Sequence, residues 1–128
     1  MPVKYTIDTK ERVIRTQCTG MVTLAEVIDH FRELERDPEC AERLDVLLDL
    51  SQVDSLPNSN QIRAISLELK TLQNVRFDAC AIVAVRDALF GMLRMFEVMV
   101  QGYFRAICVF RATSEAEAWL ASQRQRSA

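Results

Sequence analysis

The spacing of hydrophobic residues along this chain separates predicted strands from predicted helices. Alternation of apolar and polar residues predicts strands at residues 3–8 and 13–19, and the short polar link between them indicates an antiparallel hairpin. Residues 46–48 form an apolar run, and residues 77–85 form another that is apolar except for Asp78; such runs are typical of strands buried in a mainly parallel sheet. Residues 104–110 predict a last strand. The central run, 46–48, leads into a turn-rich loop and a helix start, and ligands often bind where such strands end.

Helices are predicted where an N-cap residue precedes apolar residues spaced three and four positions apart. The predicted N-caps are Thr23, Asn58, Asp87 and Ser114, and Glu26, Gln61 and Glu117 can complete capping boxes. The predicted buried stripes are Leu24, Val27, Ile28, Phe31 and Leu34; then Ile62, Ile65, Leu69 and Leu72, closed by Asn74; then Leu89, Leu93, Phe96 and Val100; and finally Ala118, Trp119 and Leu120 in a short helix.

The predicted order is β-β-α-β-α-β-α-β-α. Strands that alternate with helices favour parallel pairing with helices on both faces, so we expect one α/β domain over residues 1–128. Its sheet should be mixed, mostly parallel and about five strands wide by this pattern. Residues 122–128 are expected to form a polar tail.

Composition narrows the functional classes. The chain has 128 residues, of which 49% are hydrophobic and 27% charged, as in an ordinary globular domain. A net charge of −2 gives no long-range attraction to nucleic acid. Charged residues interrupt the apolar segment 80–100, so we expect no membrane span. The N-terminus lacks an apolar signal segment, and we expect a cytoplasmic location.

Cysteine and histidine usage argues against a metal site or other cofactor. The four cysteines are widely spaced, and zinc sites need clustered thiolates or imidazoles. Cys18, Cys80 and Cys108 fall inside predicted strands and are interpreted as small core residues. His30 lies beside the apolar stripe of the first helix and is interpreted as a surface residue.

The sequence has no motif for catalysis. It contains no G-x-S-x-G, no Walker phosphate loop and no G-x-G-x-x-G, and its three glycines cannot form a phosphate cradle. We therefore expect a protein that is not an enzyme. A cryptic site around Arg86 and Arg111 is the remaining catalytic alternative.

Polar side chains follow the predicted parallel strands and should meet at one edge of the sheet. Asp49 and Ser51 follow the central strand, Arg86 and Asp87 the next, and Arg111 the last. With the helix N-termini, the two arginines could bind a phosphate or carboxylate. The alternative is that they pair with Asp49, Asp87 or solvent.

The third predicted helix is apolar over an unusually broad arc. Met92, Met95 and Met99 form a second stripe beside the first, and Phe90 adds apolar surface, so the arc exceeds the ~100° of an ordinary surface helix. Methionines suit adaptable contacts. The arc therefore indicates an apolar ligand or dimer surface, unless neighbouring helices cover it as plain core. If they do not, two copies could bury it by two-fold pairing.

Three stretches resemble a known family. D-L-S-x-V at 49–53, followed by a loop and a helix at Ser59, is similar to the anti-sigma-factor-antagonist (STAS) family. R-D-A-L-F-G-M-L-R-M-F-E at 86–97 and V-F-R-A-T-S-E-A-E-A-W-L at 109–120 resemble its short, stand-alone SpoIIAA-like subset. This subset shares a fold with the CRAL-TRIO lipid-transfer proteins. The resemblance extends over nearly the whole chain.

The resemblance implies a non-enzymatic switch or binding module. In anti-sigma antagonists a D-S-S-G pattern carries the phosphorylated serine; here residues 57–60 read P-N-S-N, which places Asn58 at the acceptor position and Ser59 beside it. Our leading hypothesis is a regulatory module that docks a protein partner through the loop and helix after the central strand. The expected contact residues are Asp49, Ser51, Asn58, Ser59 and Asn60. The alternative is a carrier or sensor of a small apolar ligand or lipid, held in a pocket lined by the third helix.

Overall fold

A computed structural model describes residues 2–40, 43–71 and 77–127. The strands are β1 (Val3–Asp8), β2 (Val13–Gly20), β3 (Leu44–Val53), β4 (Phe77–Val83) and β5 (Ala106–Phe110). The helices are α1 (Leu24–Arg36), α2 (Ser59–Leu69), α3 (Asp87–Met99) and α4 (Thr113–Ser127), and a short 3₁₀ turn spans Pro38–Cys40. This order confirms the predicted α/β class.

The described strands form one mixed sheet in the order β1-β2-β3-β4-β5. β1 and β2 are antiparallel, as the polar link between them predicts, and every later pairing is parallel. Each parallel pair is joined through a helix, which is the connection that parallel strands require. The carboxyl ends of β2 to β5 therefore lie at one edge of the sheet.

Helices cover both faces of the sheet, but unequally. The core on one face includes Leu34 of α1, Ile62 of α2 and Leu93 of α3. The core on the opposite face is smaller, and there Ala116 and Leu120 of α4 pack against the sheet. The three-helix face and the α4 face together confirm the predicted layers.

Two predicted capping boxes form as expected. Thr23 accepts a hydrogen bond from the Glu26 N–H at 3.2 Å and the Glu26 carboxylate accepts one from the Thr23 N–H at 2.9 Å. At α2, Asn58 and Gln61 exchange the same pair of bonds, both at 2.9 Å. Local side-chain chemistry thus fixes both helix starts.

The ends of other elements differ from the prediction. The N-cap of α3 is Arg86, with no side-chain capping bond, so Asp87 lies in the first turn instead of capping it. Helix α4 begins at Thr113, which places Ser114 inside the helix. It continues to Ser127, through most of the expected polar tail, because polar residues extend a helix without needing to be buried. β4 ends at residue 83 and β5 begins at 106, so both are shorter than expected. Leu72 and Asn74 lie outside the described residues.

β3 is longer than the sequence indicates. Asp49 and Ser51 lie inside the strand, which continues to Val53, whereas the sequence places them just after its end. The pairing with β2 steps from Gln17–Asp49 to Thr19–Gln52, so β3 carries one extra residue there. The Asp49 carboxylate accepts a hydrogen bond from the Ser51 N–H at 2.9 Å, which pairs a backbone donor at this bulge. A polar D-L-S segment can therefore continue a strand.

Candidate functional site

A cavity of about 390 Å³ lies between β3 and the helices α1, α2 and α3, which cover one face of the sheet. Its floor is formed by Leu48, Leu50 and Val53 of β3, with Cys18 of β2 beside them. The remaining walls come from α1, from the start of α2, and from Leu89, Leu93 and Phe96 of α3. The cavity therefore sits toward the carboxyl ends of the central strands, where the topology favours ligand binding.

The cavity exists because the helices do not fill the space above the central strand. Leu47 points to the α4 face and is buried, whereas Leu48 and Leu50, on the helix face, remain half-buried. Opposite them, Val27 and Phe31 of α1 are also half-buried and line the same space. Apolar side chains on both walls thus face a gap instead of each other.

The rim of the cavity is formed by two loops, residues 21–23 between β2 and α1 and residues 54–58 between β3 and α2, and three hydrogen bonds hold them. The Asp54 N–H donates to the Gly20 carbonyl at 2.8 Å, and the Val22 N–H donates to the Ser55 hydroxyl oxygen at 3.1 Å. The guanidinium of Arg86 donates to the Asp54 carbonyl at 2.8 Å. The rim is therefore tied both to the end of β2 and to the start of α3.

The mouth of the cavity is apolar and exposed. Met21 has 69% of its surface exposed and Leu56 has 47%, and both line the cavity. They belong to the two loops of the rim. A ligand would enter between these side chains.

Most polar groups in the lining already have partners. The Thr23 and Gln61 side chains complete the capping boxes of α1 and α2, and the Ser55 hydroxyl accepts the rim bond. The other two polar lining residues are Cys18 and His30. Of the described residues that line the cavity, none is charged.

His30 is buried, which corrects the prediction of a surface residue. Only 8% of it is exposed, and its Nε2 lies 3.2 Å from the Thr16 hydroxyl, at hydrogen-bonding distance. Its ring packs against Tyr5, with centroids 5.3 Å apart, and the Tyr5 hydroxyl donates to Asp37 at 2.8 Å. The prediction fails because α1 turns the row of Val27, His30 and Leu34 toward the sheet.

The second ring nitrogen of His30 has no hydrogen bond. Its Nδ1 is buried and has no partner among the described residues. Burial lowers the pKa of His30 from 6.5 to about 4, so the ring is neutral at neutral pH. The residue lines the main cavity and also a smaller one of about 40 Å³.

Cys18 is a weaker polar element of the lining. Burial, with smaller contributions from Asp49 and Glu26, raises the pKa of its thiol to about 11. The thiol is therefore protonated at neutral pH and acts as a small, weakly polar group. Cys18, Cys80 and Cys108 lie in β2, β4 and β5 as predicted, and Cys108 is only partly buried.

The residues expected to contact a protein partner are not all equally accessible. Asp49 and Ser51 are half-buried in the β3 bulge, and Asn58 is the N-cap of α2. Ser59 and Asn60 are exposed in the first turn of α2. Only the last two therefore present side chains that are both accessible and uninvolved in the described helix cap.

The two arginines expected at the strand ends have partners within the chain. Arg111 donates to the Asp87 carboxylate at 2.6 Å, and its guanidinium lies 4.3 Å from the centroid of the Phe90 ring. Arg86 donates to backbone carbonyls of the rim. In this arrangement each guanidinium contacts a different part of the chain.

The methionine stripe of α3 lies outside the cavity lining. Met92, Met95 and Met99 are half-buried against the core, and the Ser66 hydroxyl donates to the Met99 sulfur at 3.8 Å. Neighbouring elements thus cover part of the stripe, while Val98 remains 64% exposed. Self-association through this helix stays a prediction, which sedimentation at high protein concentration would test.

The spacing of His30 in the sequence could have indicated that it is buried. The interpretation as a surface residue overlooks this spacing. His30 stands three positions after Val27 and four before Leu34, which is the spacing of one helical row. A polar residue in such a row marks a buried hydrogen bond or a ligand contact. The cavity itself has no signature in the sequence, because its lining residues are ordinary core types.

Comparisons with known proteins support the fold. No protein-family model matches the sequence, and no curated protein matches it. Among solved structures, the chain is similar to an uncharacterised protein of the DUF3478 family with a SpoIIAA-like fold, from Shewanella loihica PV-4. The two are 16% identical, the match covers 92% of this chain and 91% of that chain, and the TM-score is 0.60. At this identity the similarity shows the fold, which confirms the SpoIIAA-like architecture that the resemblance implied.

Neither a membrane-spanning helix nor a metal-binding cluster occurs in the described ranges. No helix among those residues is both long and apolar enough to cross a membrane. The same residues contain no cluster of three or more side chains suited to holding a metal ion.

Proposed function

We propose that this SpoIIAA-like domain is a non-enzymatic binding module that holds a small apolar molecule in the cavity between β3 and the three-helix face. The observation that carries the proposal is the cavity of about 390 Å³ at the carboxyl end of the central strand. From the sequence alone, this function is the alternative and docking of a protein partner is the leading hypothesis. The cavity favours this function over docking, because it offers an apolar space for such a molecule.

The cavity has the properties of a ligand site. Its volume falls within the ~300–1,000 Å³ typical of pockets for small molecules. Its described lining is mainly aliphatic and aromatic, and transfer of an apolar ligand from water to such a surface is favourable by roughly 25 cal/mol per Å². The apolar mouth at Met21 and Leu56 offers a continuous route for such a ligand.

Filling the cavity tests the proposal. Val27 faces the space from α1 and is half-buried, so Val27→Trp should occupy it without displacing the sheet. We expect this variant to bind the uncharged apolar dye Nile red at least tenfold more weakly than wild type. Native mass spectrometry of the purified protein should also show a retained apolar molecule in wild type and none in the variant.

The matched control is Leu67→Trp. Leu67 lies on the same helical layer, is 59% exposed and does not line the cavity. It should bind the dye as wild type does. Equal binding by the wild-type protein and both variants would contradict the proposal, as would a wild-type protein that neither retains a ligand nor binds the dye.

Docking of a protein partner is the second candidate, and the exposure of Ser59 and Asn60 beside the rim favours it. The double variant Ser59→Ala with Asn60→Ala removes both side chains but keeps the Asn58 cap. It should weaken capture of a specific partner, whereas Ser122→Ala on α4 should not. A partner retained equally by both variants would contradict docking through this surface.

A further inference from the structure

From the lining of this cavity we infer that the ligand is an uncharged amphiphile, with an apolar body and a single hydrogen-bonding head group that His30 binds. The class includes neutral alcohols and ketones and excludes carboxylates and phospholipids. The inference rests on the proposed function and specifies the ligand of the same site.

The exclusion of charged ligands follows from the described lining. It contains no lysine, arginine, aspartate or glutamate, so an ionised head group would be buried without a counter-charge. An unpaired ion loses far more solvation than an apolar wall returns. The nearby guanidinium of Arg86 is directed to carbonyl oxygens of the rim, and it is not part of the lining.

The inference that the ligand carries a polar head group follows from which polar atoms of the lining are already hydrogen-bonded. Thr23, Ser55 and Gln61 have partners in the helix caps and the rim, whereas Nδ1 of His30 has none among the described residues. A buried polar atom without a partner is destabilising. A neutral imidazole can donate or accept at this atom, depending on its tautomer, so either a hydroxyl or a carbonyl can pair with it.

The exposure of the lining residues indicates how the ligand is oriented in the cavity. His30 is 8% exposed, whereas Met21 and Leu56 at the mouth are 69% and 47% exposed. The head group therefore lies inside, and the apolar body extends toward the mouth. His30 lines both the main cavity and the smaller one of about 40 Å³, so a ligand head group or a water held in one of these spaces is the candidate partner for its buried Nδ1.

The test compares three ligands with the same chain: decane, decanol and decanoate. We expect wild type at neutral pH to bind decanol about fivefold more tightly than decane, which corresponds to one net hydrogen bond, and at least tenfold more tightly than decanoate. His30→Leu should remove the preference for decanol over decane, so that the ratio of the two affinities falls to about one. Ile65→Val, which trims the lining without touching a polar group, should keep the preference.

A measurement on the wild-type protein guards against misfolding of the variant. His30 is the only histidine of the chain, so its ring ¹⁵N signals need no assignment by mutation. Decanol should shift the Nδ1 signal, and decane should not.

The outcomes separate the two claims. If none of the three compounds binds, the proposed function fails, and this inference fails with it. If they bind but decanoate equals or exceeds decanol, or if His30→Leu keeps the preference, only the inference is overturned. An Nδ1 signal that is the same with and without decanol would mean that an internal water satisfies this atom, which also overturns it.

Discussion

The carboxylate of Asp45 accepts a hydrogen bond from the backbone N–H of Ala79, 3.0 Å away on the neighbouring strand. The pairing of β3 with β4 steps from Leu44–Phe77 to Val46–Cys80, so β4 carries one extra residue there. A bulge leaves a backbone group without its ladder partner, and the buried Asp45 side chain supplies one. An acidic residue in the core thus completes the central sheet.

Replacing Asp45 should therefore destabilise the protein in a way that depends on the acceptor. Asp45→Ala leaves a buried N–H unpaired, and we expect the free energy of unfolding to fall by about 2 kcal/mol. Asp45→Asn keeps an acceptor oxygen. Burial raises the pKa of Asp45, so the fold disfavours its charged carboxylate, which Asp45→Asn removes. The Asn variant should therefore lose much less free energy of unfolding than the Ala variant. Urea denaturation of both variants checks this, and equal losses would contradict the role of the acceptor.

The stability of the protein should depend on pH through His30. Its pKa is lowered from 6.5 to about 4 by burial, so the unfolded chain binds a proton that the folded chain rejects between these values. The corresponding stabilisation is fully present above pH 6.5 and is lost as the pH falls toward 4, by up to roughly 3 kcal/mol. Urea denaturation across this range gives the slope.

The control for this prediction is His30→Leu, which cannot titrate. Asp37, bonded to the Tyr5 hydroxyl beside the ring, remains in both proteins, so its contribution cancels in the comparison. The difference in stability between wild type and variant should therefore change with pH. A difference that stays constant from pH 7 to pH 4 would show that His30 does not stay neutral in the fold.

Arg86 should affect the rate of ligand release more than the stability of the protein. Its bonds to the carbonyls of Val53 and Asp54 tie α3 to the rim. Arg86 is exposed, so we expect Arg86→Ala to lower the free energy of unfolding by only about 1 kcal/mol. Release of an apolar ligand should become several-fold faster because the rim is no longer tied. Stopped-flow dilution of bound Nile red measures this.

Arg94→Ala is the matched control for that measurement. Arg94 is an exposed arginine within α3 that lies 3.8 Å from Glu97 and is not part of the cavity lining. Its removal should leave dye release unchanged. Equal release rates in the two variants would show that the Arg86 bonds do not hold the rim.

Asn58 and Ser59 should respond differently to alanine. Asn58 caps α2, and loss of such a cap costs about 1 kcal/mol of stability. Ser59 is exposed in the first turn, so Ser59→Ala should change stability by less than about 0.5 kcal/mol. Thermal unfolding of the two variants is the check. A loss with Ser59→Ala as large as with Asn58→Ala would contradict the role of Asn58 as the cap.

The order of the elements, the mixed sheet and two of the helix starts could be predicted from the sequence. They follow from local rules: alternation in β1, the apolar run in β4, and the side-chain bonds of Thr23 and Asn58 to their own helices. Each rule acts between residues a few positions apart, so the sequence alone contains the information that the rule needs. The resemblance at residues 49–53 then indicated the fold as a whole.

The candidate site, in contrast, depends on tertiary packing. The rotation of α1 places His30 against Thr16 instead of in solvent, and the spacing between layers leaves Leu48 half-buried over a cavity. Both depend on how helices pack on a sheet, which joins residues distant in the sequence. Cavity-lining and core residues are chemically the same, so no local pattern separates them. The chain thus encodes its elements locally, and its candidate binding site arises only where they pack together.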